Sequence, residues 1–165
     1  MDHRSHRLSE LGAAVAELLK RRRETLAVAE SSAGGLINAA LVAVPGASAY
    51  YLGGAIVYTA ASRSALLRIE RAEIQNMRSA TEPMARLLAE RVRASLEANW
   101  GLAETGAAGP AGNRYGDAPG HACFAVSGPV EKAITLETGS LEREANMWAF
   151  AQRALALLES CLREA

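Results

Sequence analysis

The sequence predicts an α/β fold, one domain over residues 1–165 in which helices cover a mixed sheet. Three observations predict it. Residues 25–41 read as a buried strand, a tight polar turn and the start of a helix. Further apolar runs of strand length are separated by stretches of helical spacing. The 165 residues, half of them hydrophobic, suffice for a sizeable core, and no linker, repeat or low-complexity segment divides them.

The elements follow in order. Leu8, Leu11, Val15, Leu18 and Leu19 recur at helical spacing, which predicts an amphipathic helix over 5–22. Leu26 to Ala29 predict a central strand over 25–30, followed by a helix over 33–43 that Pro45-Gly46 breaks. Residues 52–58 read as a second strand, with Gly53 and Gly54 marking a bulge or a close backbone approach. Short helices are expected over 60–68 and 71–76. Thr81 as N-cap and Pro83 in the first turn open a longer helix to residue 98. Trp100 to Thr105 supply a third strand and Gly106 to Gly120 a glycine-rich loop. His121–Ser127 and Lys132–Glu137 read as a hairpin-like pair joined at Gly128-Pro129. Trp148, Ala151, Leu155, Leu158 and Leu162 predict a last helix over 141–163.

Eighteen basic residues balance eighteen acidic ones. That balance argues against a dedicated nucleic-acid surface, which is usually strongly basic. The one basic run, Lys20 to Arg23, ends the first helix, where cations complement the helix dipole; a phosphate or partner contact is the alternative. Cys123 and Cys161 form no CxxC pair and no metal-ligand spacing, so free buried thiols in a reducing compartment are expected. No stretch reaches the length of a membrane span, and residues 1–7 lack the apolar core of a secretory signal. A soluble cytoplasmic protein is the expectation, with no membrane partner.

Three segments carry candidate chemistry. Glu30, Ser31 and Ser32 put an acid and two hydroxyls at the carboxyl end of the first strand, where ligands bind in open α/β sheets. Gly34 and Gly35 permit close approach to the backbone, and a helix amino terminus suits an anion. The alternative is that Ser31 or Ser32 only caps the helix. Tyr58 at a strand end and Arg63 five residues on offer a phenol and a cation to an anionic substrate; a half-buried phenol and a solvated arginine are the alternative. The loop from Glu104 to Gly120 can expose N–H groups to a phosphate or carboxylate, or serve only as a long surface loop. It lacks the Gly-Lys-Ser/Thr of a Walker loop and the glycine spacing of a dinucleotide fingerprint. His3, His6 and His121 form no metal pattern, so neither metal nor cofactor is expected.

Together these segments resemble the CinA carboxy-terminal domain family. Ala29-Glu-Ser-Ser-Ala-Gly-Gly35 is similar to its Ala-Glu-Ser-Cys-Thr-Gly-Gly signature. Val44-Pro-Gly-Ala-Ser48, Gly53-Gly-Ala-Ile-Val-Tyr-Thr59, Ala80-Thr-Glu-Pro-Met-Ala85 and Thr105-Gly-Ala-Ala-Gly-Pro110 resemble further family motifs in the same order. The resemblance implies a three-layer α/β/α sandwich with a mixed, mostly parallel sheet, usually in homo-oligomers. It implies an amidase that hydrolyses nicotinamide mononucleotide to the nicotinate nucleotide and ammonia. Ser31 would be the attacking hydroxyl, assisted by a tyrosine and a lysine. Tyr58 is in place, but the lysine position holds Arg63. An amine can be tuned to accept a proton, whereas a guanidinium stays protonated. Arg63 could still hold a phosphate or stabilise an oxyanion.

Other positions also depart from the family. Ser32 and Ala33 replace Cys-Thr, Ala60 replaces an asparagine, and Pro110-Ala-Gly112 replaces Pro-Gly-Gly. Asp117-Ala-Pro-Gly120 stands where Lys-Pro-Val-Gly is usual, and near the last helix only Arg143 answers to a pair of family arginines. Two readings follow. The first is an amidohydrolase with Ser31, Tyr58 and Arg63 at the reacting centre. Glu30, Ser32, Gly34, Gly35, Thr105, Gly106, Gly109 and Gly112 would line a small nucleotide substrate, with retained or drifted specificity. The second is a catalytically silent domain that binds a nucleotide or another anionic metabolite.

Overall fold

The computed structural model describes residues 3–165; Met1 and Asp2 of the amino-terminal segment lie outside the described residues. The elements are α1 (His3–Arg22), β1 (Leu26–Glu30), α2 (Leu36–Val42), β2 (Tyr51–Ile56), α3 (Ala60–Leu67), α4 (Glu82–Ser95), β3 (Trp100–Ala107), β4 (His121–Ser127), β5 (Lys132–Glu137) and α5 (Arg143–Glu164). A short 3₁₀ turn over Ala47–Ala49 precedes β2.

The five strands form one mixed sheet in the order β2-β1-β3-β4-β5. β1 pairs in parallel with β2 and with β3. β4 is antiparallel to both β3 and β5, so four strands share one direction while the pairings are evenly divided. β1 is buried along its whole length, as a central parallel strand requires. β2 lies at the edge and alternates between partly buried and exposed residues.

Side-chain alternation along the strands splits the core into two layers. Leu26 and Val28 of β1, Leu102 of β3 and Phe124 of β4 join α1, α2 and α5 on one face. Ala27, Ala29, Ala103, Cys123 and Ala125 face α4 on the other. The helices are amphipathic for this reason: α4 buries Met84, Ala85, Leu88, Ala89 and Val92 and exposes Arg86 and Glu90. Thr81 caps it, accepting from Met84 N at 3.4 Å.

Four expected boundaries shift, each for a local reason. α2 begins at Leu36 rather than residue 33, because Gly34 and Gly35 have φ of 66° and 103°, outside the helical region. Residues 71–76 form successive three-residue turns, not a helix, with bonds such as Glu73 N to Glu70 O at 3.0 Å. So short a segment does not offset the cost of helix nucleation. α4 stops at Ser95, ahead of Glu97 with its φ of 52°. β3 runs on to Ala107, because β4 continues to pair with it as far as His121.

Candidate active site

The chain leaves β1, crosses through α2 to β2, and returns past β1 to β3 on its other side. The carboxyl ends of β1 and β3 therefore flank a topological switch point, where a crevice forms in open α/β sheets. Ser31 to Gly35 follow β1 at this point, and Ala108 to Gly120 follow β3.

Two buried carboxylates organise the serine turn. Glu30 is fully buried. It accepts from Asn38 N at 2.9 Å, Ile37 N at 3.3 Å and the Asn38 side-chain amide. It thus anchors the first turn of α2, and its oxygens face that helix. Glu104, projecting from β3 on the same face, is also fully buried. Its Oε2 accepts from Ser31 N and Ala33 N, both at 2.9 Å, and its Oε1 accepts from the Ser32 hydroxyl. The expected anion-binding amides of the turn are therefore partly occupied by an internal anion. Burial pushes Glu104 up to about 7, against the opposing pull of these three hydrogen bonds.

Ser31 and Ser32 differ in consequence. Ser32 donates to Glu104, and a Cβ added at Gly106 would come within 2.9 Å of its oxygen. The Ser31 hydroxyl has no hydrogen-bond partner among the described residues, and the residue keeps 7% of its surface exposed. Gly34 lies under α5, where an added Cβ would meet Met147 Cε at 2.8 Å.

Tyr58 follows the end of β2 and is 55% exposed. Its hydroxyl accepts from Arg143 Nη2 at 2.9 Å, and Arg143 Nη1 donates to the Gly109 carbonyl at 2.7 Å. Arg143 thereby ties the wall after β2 to the loop after β3. Asn146, one turn further along α5 and 1% exposed, holds the same loop. Its amide donates to Ala108 O and Ser140 O, each at 2.8 Å, while its oxygen accepts from Thr138 at 2.6 Å.

Arg63 lies half-buried on α3, and its guanidinium makes no hydrogen bond or ion pair with a described residue. Burial lowers its pKa, and it feels Tyr115 and Arg114 across the glycine loop. The Tyr115 hydroxyl in turn accepts from Arg114 at 2.7 Å, which holds its pKa down. The outer part of this loop is closed by Asn113, which donates to Asp117 Oδ2 at 2.7 Å, and by Arg78 on Asp117 at 3.1 Å. Gly112 belongs to this closure, since a Cβ there would lie 2.2 Å from Asp117 O. Thr105 points to the α4 face, where its hydroxyl accepts from Ala80 N at 3.3 Å. The structure thus gathers Ser31, Ser32, Gly34, Gly35 and Gly106 at the turn, with Tyr58 and Gly109 linked by Arg143. It directs Glu30, Thr105 and Gly112 to other partners.

Sequence reasoning gave no role to Glu104 or Asn146 and fixed no register for Arg143. A signal existed for two of them. Glu104 interrupts the apolar run of β3, and Asn146 falls on the buried stripe of α5 four residues before Phe150. A groove of about 410 Å³ lies apart from all of these, between β2, α3 and α4, lined by Ala55, Leu66, Val92 and Leu96. Among the described residues no His, Cys, Asp and Glu cluster could hold a metal ion, and no helix is long and apolar enough to cross a membrane.

Comparison with known proteins bears on this arrangement. The family model of the CinA C-terminal domain matches residues 8–162. A CinA-like protein from Prochlorococcus marinus is 42% identical over 119 residues, covering 72% of this chain and 28% of the relative. One from Gloeobacter violaceus is 40% identical over 131 residues, covering 79% of this chain and 31% of the relative. The chain thus spans about three tenths of the length of these curated relatives. The crystal structure of a competence-damaged protein (CinA) superfamily protein from Klebsiella pneumoniae superposes with a TM-score of 0.89 at 24% identity, covering 96% of this chain and 99% of that one. A competence/damage-inducible protein from Agrobacterium tumefaciens gives 0.85 at 24% identity, covering 95% and 96%. These likenesses establish the α/β fold, and the match over residues 8–162 establishes that the chain belongs to the CinA C-terminal domain family.

Proposed function

We propose that the protein is an amidohydrolase that removes ammonia from the carboxamide of a nicotinamide nucleotide, with Ser31 as nucleophile. One observation carries this reading: at the switch point, Ser31 is the turn hydroxyl that no described residue engages, while its neighbours are held by internal carboxylates. A hydroxyl free to meet substrate, on a turn fixed by buried hydrogen bonds, suits nucleophilic attack.

Ser31 Oγ attacks the carboxamide carbon. Arg143 donates to the Tyr58 oxygen, which leaves the phenol proton free to stabilise the developing oxyanion. Arg63 and Arg114 carry positive charge at the rim without a carboxylate partner among the described residues, so the substrate's phosphate meets them there. Arg63 serves as a cation and takes no proton. The two cysteines are free and buried, in keeping with a reducing, cytoplasmic setting. The partners under this reading are the nucleotide and further copies of the chain, with no nucleic acid and no membrane.

Arg63 in the family's lysine position favours a second reading, a silent binder of an anionic metabolite. Ammonia release from nicotinamide mononucleotide separates the two. The amidase releases ammonia and loses that activity in Ser31→Ala, with its melting temperature kept. A binder is stabilised by the nucleotide and releases none. Undiminished release by Ser31→Ala would remove the serine from the mechanism.

A further inference from the structure

We infer that Glu104, acting through the Ser32 hydroxyl, is the proton acceptor of the serine turn. This inference rests on the amidase reading and supplies what that reading lacks, a base where the family's lysine is an arginine.

The geometry carries it. Glu104 reaches the turn from β3, with one oxygen on the Ser31 and Ala33 amides and the other on Ser32 Oγ. That hydrogen bond is the one Ser32 makes with its side chain among the described residues. Among the described residues no cation pairs with the carboxylate. Arg143, at the start of α5, is spent on Tyr58 and Gly109, and Arg63 on α3 faces Tyr115 and Arg114. The charged group that does act on Glu104 is Glu30 of β1, a like charge. Its sheet partner on β4 is the apolar Phe124. A purely structural acceptor for two amides needs no ionisable group, because the carbonyl of a glutamine would serve. A buried carboxyl without a counter-charge costs stability that a glutamine there would not, and it rests on a hydroxyl of the reacting turn. Burial holds Glu104 at about 7, the range in which a general base works best at neutral pH.

The step balances. With the Ser31 hydroxyl, unengaged in the structure, turned onto Ser32 Oγ, the bond from Ser31 Oγ to the carboxamide carbon forms as the Ser31 proton passes to Ser32 Oγ and the Ser32 proton passes to Glu104 Oε1. The carbonyl electron pair moves onto oxygen. On collapse the carbon–nitrogen bond breaks, and the proton returns by the same route to the leaving nitrogen, which departs as ammonia. Water then attacks the Ser31 ester, gives its proton to Glu104, and the ester oxygen leaves with that proton. The sum is amide plus water to carboxylic acid plus ammonia.

The test compares wild type, Glu104→Gln and Ser32→Ala as pH profiles, with folding checked by melting temperature. Two substrates are used: nicotinamide mononucleotide, read as ammonia, and p-nitrophenyl acetate, read as Ser31-dependent acylation against a Ser31→Ala blank. In the wild type both rates rise with pH and reach half-maximum near 7. Both variants lose this limb, with kcat down about 10²-fold and KM within about twofold. Should Glu104→Gln not fold, Ser32→Ala carries the same expectation, since it cuts the link and leaves the carboxylate in place. A limb near 7 that persists in a folded variant overturns the inference, as does a wild type without Ser31-dependent acylation. Absence of ammonia from the nucleotide, with the acylation limb intact and lost in the variants, overturns the choice of amide substrate and leaves Glu104 as acceptor.

Discussion

The two faces of the sheet at the ends of β3 and β4 treat charge in opposite ways. On the α2 and α5 face, Glu104 is fully buried without a cation among the described residues. On the α4 face, three residues along the strands, His121 has an acceptor at each ring nitrogen: the Glu137 carboxylate at Nδ1 and Ala80 O at 2.7 Å from Nε2. Two acceptors require two N–H groups, so the imidazolium is the form that fits. Burial works to lower the His121 pKa, but Glu137 and the Ala80 carbonyl outweigh it and the net shift is upward. The α4 face is compensated and structural. The turn face keeps an acid that the fold would be more stable without, and that is where the serines are.

Substitutions sharpen this contrast. The largest effect belongs to Ser31→Ala, which should lower ammonia release by about 10⁴-fold or more without changing the melting temperature. A steady-state assay beside a thermal melt checks it.

Stability against pH tests Glu104 itself. Its folded pKa is raised, so the folded state favours the protonated acid. That stability is complete below the ordinary glutamate range and is lost as pH rises through about 7. A rise from the ordinary glutamate range to about 7 corresponds to about 3 kcal/mol. Urea titrations at pH 5 and pH 8.5 should show the wild type losing stability over this window and Glu104→Gln losing far less. Equal slopes for the two proteins would end the claim that the carboxylate is uncompensated.

Asn146→Ala should cost about 2 kcal/mol, since it strands the Ala108 and Ser140 carbonyls and frees Thr138. It should also raise KM, because the loop that Arg143 grips at Gly109 loses its second tie. Unchanged KM would separate the loop from the site.

The smallest effect falls on the compensated face. His121→Ala should cost about 1 kcal/mol, reduced by the exposure of Glu137. A raised histidine pKa contributes its stability below the ordinary histidine range and loses it as pH rises through the folded value. The penalty should therefore be larger at pH 5.5 than at pH 9. The reverse order in chemical denaturation would mean that the neutral imidazole is the bound form.

What the sequence made legible follows the same physics. Strands and helices with clear periodicity, such as β1 and α5, stood out because burial imposes spacing directly. The motif residues Ser31, Tyr58 and Gly109 could be named, since family likeness resides in them. The partners of each polar group were not legible. Glu30 looked like part of the site and instead anchors α2, because a carboxylate at a strand end can satisfy amides seven and eight residues on. Glu104 and Arg143 meet the turn and Tyr58 across separations of 72 and 85 residues, which no local pattern encodes. The helix once expected over 71–76 shows the converse limit: without a buried stripe or caps, six residues settle into turns.

Under the proposed function, the unengaged Ser31 hydroxyl breaks a carboxamide. The most direct test is ammonia release from nicotinamide mononucleotide by wild type and Ser31→Ala, side by side at pH 8, both shown to be folded. Release by the wild type and none above background by the variant is expected. Equal release from both, or none from either, would contradict it.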